Sequence, residues 1–320
     1  MGNGGTLAQF TDSVRKQKSN YFMVKLVAAW ALFMLLLVFG VKRYWGDGTK
    51  DPQPMVSETT AKDNIPVADL LFLHEGIPLC KEVFSGFLAA PTNEARLQYV
   101  MNPVSTAERM SQFSSMNQQV FIDYANLSLI SSAALHLPTG RGIETQWNFK
   151  DNRIIDVVFM ENSGQWRLDW EHYIRYSFSP LVSFLAENGK GVGEFRLLAR
   201  ERLAEERKNK DTLSIVFYTP QFGYPSNTGF TSPEFIVPRA SKNGRLLEAA
   251  FKLEKSGQRA FDVKLRKTEL DGLIRVRVRI RRYSDGKDKE RRFELEDVVA
   301  CHWYSSDAPG GDIPGKPVNK

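Results

Sequence analysis

Apolar positions in this chain fall first into one continuous run and then into short periodic segments. The run is Leu26–Val41, LVAAWALFMLLLVFGV, sixteen residues without a charge. With Tyr21–Val24 ahead of Lys25 it predicts one membrane-spanning helix over 21–43, because about 20 apolar residues cross a bilayer. After it, residues 44–65 (YWGDGTKDPQPMVSETTAKDNI) show turn formers and no period, which predicts a linker. A helical period returns in EGIPLCKEVFSGFLAAP, with Leu79, Val83, Phe84, Phe87 and Leu88 on one face and Pro91 as the stop. Thr92 and Asn102-Pro103 mark two further helix starts.

The period then becomes two. QVFIDY, LSLISSAALHL, IETQWNF, RIIDVVFM and QWRLDWEHYIRY predict an antiparallel meander. Helices followed by a meander make an α+β domain over 66–177. Ser179-Pro180 opens another helix, closed by Gly189. Strands follow near 194–203, 212–219 and 234–239, then an amphipathic helix over 244–255, then strands near 260–267, 272–283 and 291–303. These predict a second α+β domain over 178–304. The tail 305–320, rich in Pro and Gly, reads as disordered.

Charge sharpens this division. Residues 1–43 carry a net +5, residues 44–177 a net −6 and residues 178–320 a net +7. The basic excess in the 1–20 head sits beside the predicted span, where anionic lipid attracts it. Nucleic acid is therefore an unlikely partner. The reversal near 178 predicts two domains that meet through opposite charge. Lys42 and Arg43 follow the run where a cleavage site would stand, so it reads as an uncleaved signal anchor. Basic residues flank it almost evenly, and the large body that follows favours an extracytoplasmic side, the periplasm in a Gram-negative cell. MGNGGT fits the N-myristoylation pattern, but a spanning helix makes an acyl chain redundant.

Candidate chemistry is sparse. Two cysteines and four scattered histidines suggest neither a disulfide framework nor a metal site, and no cofactor motif occurs. Cys80 and Cys301 both fall at inward positions. Buried thiols are the ordinary outcome, and a bridge between them requires an oxidising compartment. WRLDWEHY, 166–173, taken as a strand, places Trp166, Leu168, Trp170 and His172 on one face and Arg167, Asp169, Glu171 and Tyr173 on the other. Asp169 as a general base with His172 as a proton shuttle is one reading. The ordinary reading is a tryptophan strand with an ion-paired outer face.

LIRVRVRIRRY, 273–283, alternates Ile274, Val276, Val278 and Ile280 with Arg275, Arg277, Arg279 and Arg281. The arginines suit an anionic ligand, or else carboxylates on the next strand, with Arg279 opposite Glu294 and Arg277 opposite Glu296. No aromatic residue interleaves with them. The stretch 220–232 is long for a loop and carries Phe222, Tyr224 and Phe230 as candidate contacts. GKGVG at 189–193 lacks P-loop spacing and reads as a helix stop. Asn126-Leu127-Ser128 is a glycosylation sequon.

Helices followed by a tryptophan-bearing meander, behind one anchor, resemble the NTF2-like (cystatin-like cone) superfamily over about 70–177. The layout is also similar to VirB8-type secretion-system proteins, which carry such a domain outside an N-terminal span. The resemblance implies a cone-shaped domain that serves either as a pocket enzyme or as an assembly module. The family's pocket residues have no residue-by-residue match here. The chain thus reads as a membrane-anchored, non-enzymatic binding or assembly module. It holds lipid through 21–43 and a protein partner through its body. Its rivals are a tethered enzyme built on Asp169 and His172, and an anion-binding domain built on Arg275–Arg281.

Overall fold

Pro66 opens the first long helix, α1 (Val67–Ala89), whose buried side is Leu73, Gly76, Cys80, Phe84 and Phe87. That face is rotated from the sequence-predicted one, and Leu79 points outward. Gly76 is the cause. A Cβ there would lie 2.5 Å from Ile143 Cδ1 and 2.9 Å from Trp166, so the missing side chain lets α1 approach the sheet.

This computed structural model describes residues 65–116, 127–137, 140–149, 152–162, 164–202, 210–257, 265, 268–283 and 291–305, and three isolated positions, 30, 32 and 34. The predicted span 21–43, apart from those three, the strands over 119–124 and 260–267, apart from Leu265, and the tail beyond 305 lie outside the described residues. No helix among the described residues is long and apolar enough to cross a membrane.

The class is α+β, with several helices and two antiparallel sheets of four and five strands. Helices α2 (Asn93–Arg96) and α3 (Pro103–Met116) follow α1. Thr92 caps α2, its side chain accepting from Ala95 N. The first sheet is a meander of β1 (Ser128–Leu137), β2 (Gly140–Asn148), β3 (Ile154–Asn162) and β4 (Gln165–Leu168), paired in chain order. The second sheet runs in the order β7–β6–β5–β8–β9. Its strands are β5 (Gly191–Glu201), β6 (Thr212–Pro220), β7 (Thr228–Pro238), β8 (Leu273–Tyr283) and β9 (Arg292–Ala300). Short helices α4 (Trp170–Ile174) and α5 (Leu181–Ala186) join the sheets, and α6 (Lys242–Lys255) covers the second. By contacts, 65–320 forms one compact unit.

Each sheet has its own apolar core on one face. In the first, Phe84 and Phe87 of α1 pack with Trp147, Phe159 and Tyr173. Phe84 meets Trp147 at 5.6 Å and Tyr173 edge-on at 5.8 Å. In the second, Phe195, Leu197, Phe217, Val276 and Val278 pack under Leu247 and Phe251. The remaining two faces look toward each other and are mixed: buried charged residues lie between two small apolar clusters, Leu135, Val158 and Met160 with Tyr304, and Leu198 and Leu273 with Trp303.

Two local differences from the sequence expectation matter. The strand predicted through 173 ends at Leu168. Asp169 turns the chain by capping α4, accepting from His172 N at 3.0 Å. A capping carboxylate two residues into a tryptophan strand outcompetes continued extension. The stretch 220–232 is also shorter as a loop, since β7 takes over at Thr228.

Gly76→Ala is expected to destabilise the body by about 1–3 kcal/mol through overpacking against Ile143 and Trp166. Leu79→Ala, three residues along and exposed, should change stability by about 0.5 kcal/mol or less. Urea midpoints of the two variants check the rotation of the helix.

Candidate functional site

The facing sides of the two sheets meet in a buried ion network. β2 alternates Ile143, Thr145 and Trp147 toward α1 with Glu144 and Gln146 on the other side, and all five are buried. β3 adds Asp156, which is also buried. From the second sheet come Arg196 on β5 and Arg275 and Arg277 on β8. Arg196 and Arg277 stand directly opposite each other in the ladder. Two like charges in that position repel, so each needs carboxylates or carbonyls from elsewhere.

Arg275 is the hub. Its guanidinium donates to Glu144 at 3.0 Å, and to Asp156 and to Glu269. Burial favours losing its proton. Glu269, Asp156 and Glu144 more than offset that, and its pKa stands well above the ordinary value. Arg277 donates to Glu194 at 2.9 Å and to the Tyr304 carbonyl at 2.5 Å. Arg196 donates to Glu171 at 2.5 Å, to the Trp303 carbonyl at 2.9 Å and to the Tyr176 carbonyl at 2.9 Å. Burial, then Arg277, draws the Arg196 pKa down to about 9, still high enough to keep the charge at neutral pH.

The chain after β9 threads through this network. Cys301, His302, Trp303 and Tyr304 are all buried. The Trp303 ring lies beneath Arg275 at 4.9 Å and Arg175 at 5.3 Å. Its indole N–H donates to the Leu197 carbonyl at 3.0 Å. Ser305 ends the strap. Its backbone N–H donates to Asp169 Oδ2 at 2.7 Å and its hydroxyl to Asp169 Oδ1 at 2.5 Å. That hydroxyl also accepts from Arg196 at 3.0 Å.

Asp169 and His172 therefore lie in this joint. Asp169 is 2% exposed, and both its oxygens hold the α4 N-terminus and Ser305. His172 is wholly buried, beside Tyr304 at 5.5 Å, with Nε2 3.9 Å from Glu144. Neither ring nitrogen has a hydrogen-bond partner among the described residues. Burial, then Arg175, Arg275 and Arg196, holds its pKa well below 6.5, so the ring is neutral at ordinary pH. Both groups are thus enclosed by the body, and the Asp169 oxygens are taken up by its hydrogen bonds.

The other candidates are separated. Arg275 and Arg277 are in the joint, whereas Arg279 and Arg281 lie further along β8, half-exposed, against Glu194 and Glu296. The β8–β9 register differs from the expected one. Arg281 faces Glu294, Arg279 faces Asp297 and Arg277 faces Ala300, with two irregularities along the ladder. The hairpin end is already offset by two residues from the expected pairing, and the two irregularities move the later pairs further along. The carboxylate that serves Arg277 and Arg279 is Glu194 of the neighbouring strand β5. Phe222 packs edge-on against Tyr173 at 5.4 Å, and the Gly223 carbonyl accepts from Ile154 N at 2.9 Å, so this turn also ties the two sheets. Tyr224 and Phe230 remain exposed. Cys80 and Cys301 are free and buried, and burial pushes the Cys301 thiol up to about 12.

Glu144, Asp156, Arg196, Glu269 and the strap did not stand out in the sequence. Their signal was there. IETQW and IIDVVF each set one acid within a run free of other charges, which fits a polar contact on the second face. Among the described residues no group of His, Cys, Asp and Glu is arranged to hold a metal ion. No family model, curated protein or solved structure matches this chain.

Arg275→Ala should cost about 3–5 kcal/mol, because it strands buried carboxylates. Arg281→Ala, at the exposed end of the same strand, should cost about 1 kcal/mol or less. Denaturant unfolding separates the two. His172 sets a pH dependence of known sign. The unfolded ring takes up a proton below about 6.5 while the buried ring does not, so stability is whole above that pH and falls as pH drops below it. The slope is up to about 1.36 kcal/mol per pH unit for this one group. His172→Phe should remove that component between about pH 5 and 6.5.

Proposed function

We propose that the chain is a single-span, membrane-anchored binding or assembly module whose body acts without catalysis on the extracytoplasmic side. The observation that carries this reading is the commitment of the polar centre. Asp169 holds Ser305 and a helix end, and His172 is enclosed. Arg275 and Arg277 are engaged by carboxylates and a carbonyl of the same body. Chemistry that in an enzyme would face substrate here joins two sheets.

The first sheet adds support. Its α1-facing side is filled by Phe84, Phe149, Trp147, Phe159 and Tyr173, which leaves a packed core there. The NTF2-like resemblance, with its assembly-module members, agrees with this reading. What remains outside is surface suited to a protein partner. Tyr224 and Phe230 beside β7, and Phe178 with Val182 at the start of α5, are exposed aromatic and aliphatic residues.

Three measurements test the proposal. Full-length protein should remain with carbonate-washed membranes, and a chain from residue 46 onward should be released. Protease added outside spheroplasts should digest the body; protection until lysis would reverse the orientation. Affinity capture of the detergent-extracted full-length protein should recover a defined partner, and Tyr224→Ala with Phe230→Ala should weaken that recovery without lowering stability. Turnover that Asp169→Asn abolishes in a still-folded body would establish the enzyme reading instead.

A further inference from the structure

The start of α1 stands in water with the wrong chemistry for it. Ile65, Val67, Leu70 and Leu71 are exposed, Val67 at 72% and Leu71 at 57%. The core face of the helix begins only at Leu73. Val67 and Leu71 lie one turn apart along the outer side, and the exposed polar residues His74 and Glu75 follow them. Asp69, the acid inside this stretch, is offset by His136 at 3.1 Å and Arg141 at 3.3 Å. Arg141 also lies over the Phe72 ring at 3.9 Å. The apolar start is thus flanked by a half-exposed guanidinium and an imidazole.

What covers it follows from the chain. Ile65 is joined directly to the 64 residues that carry the uncharged run Leu26–Val41. The intervening residues 44–64 can reach at most about 70 Å at about 3.3–3.6 Å per residue. A membrane held by that run is within their reach. A second copy of the chain fits less well, because stable protein interfaces use about 20–30 residues a side and this patch offers a handful.

We propose that Ile65–Leu71 inserts into the headgroup–acyl boundary of the anchoring membrane, with Arg141 and His136 toward anionic headgroups. The inference rests on the membrane-anchored reading above and adds to it a second, shallow lipid contact at the root of the body. Interfacial helices bury their apolar side about 5–10 Å into that boundary. Glu75, exposed one turn beyond Leu71, marks where the helix leaves it.

The test uses the full chain in phosphatidylcholine vesicles, with and without phosphatidylglycerol. A polarity-sensitive fluorophore is placed at Ala68→Cys, with a control at Lys252→Cys on exposed α6; both native cysteines are buried. At 68 the emission should shift to shorter wavelength and be quenched by a lipid-borne nitroxide, more so with phosphatidylglycerol; at 252 it should be quenched by aqueous iodide. Leu70→Asp with Leu71→Asp should return position 68 to the aqueous signal while flotation and far-UV circular dichroism stay unchanged. An aqueous signal at 68 in protein that floats with the vesicles overturns the inference and leaves the anchor standing. A shift that grows with protein-to-lipid ratio and ignores the nitroxide shows self-association and also overturns it. Protein that does not float overturns both readings.

Discussion

One guanidinium decides how the two halves of the body meet. Arg275 gathers Glu144 and Asp156 from the first sheet and Glu269 from its own side, beneath the Trp303 ring. Every other feature of the joint accommodates it or copies it. Arg196 and Arg277 oppose each other in the ladder and are held apart in function by Glu171 and Glu194. A network of this kind adds little net stability compared with an apolar joint of the same volume, since each ion gives up its hydration. Its effect is on specificity. A sheet sliding by one residue would turn buried carboxylates onto the apolar face, at a cost no packing could recover.

The sequence displayed the layers well and the joint poorly. Period-two alternation located β2, β3, β5 and β8. Capping chemistry located α2 at Thr92 and the end of α5 near Gly189. These signals are local, so they survive without knowledge of tertiary contacts. The turn at Asp169 was missed because WRLDWEHY alternates as a strand would; a side chain that can cap a helix wins there by satisfying His172 N. The β8–β9 register was missed because an alternating pattern fixes which side chains share a face but not which residues pair: an offset of two keeps the same faces, and the ladder's irregularities add to it. The opposite net charges of the two halves did point to an electrostatic contact. They could not show that it would be dry, with His172 enclosed among arginines and carboxylates that the chain brings together from positions far apart.

The division of labour across the surface follows. Charge is used inward, to align sheets. Exposed apolar groups sit at the root of α1, at the start of α5 and along β7, each at an end or an edge rather than mid-face. On the proposed reading of an anchored module, a rigid body with contact groups at its margins is suited to spacing and presentation. Loose hinges between the sheets would defeat that use, and the Phe222–Tyr173 contact with the Gly223–Ile154 hydrogen bond closes the gap on one side as the strap does within.

The strap also orders events in time. Asp169 waits for Ser305, 136 residues later, and Arg196 for Trp303, 107 residues later. Domains fold from the N-terminus as they are synthesised, and long-range closures are slow. The first sheet can form its apolar core while its second face still carries open carboxylates. The second sheet can form with Arg277 and Arg279 on its own Glu194, while Arg196 lacks Glu171 and the strap. Only when the ribosome has released the residues through 305 can the strap enter and supply its hydrogen-bond partners to Asp169, Arg196 and Arg277. The strap is thus a late closure of the body, and the hydrogen bonds that Asp169 and Arg196 make to it cannot form before residue 305 is in place.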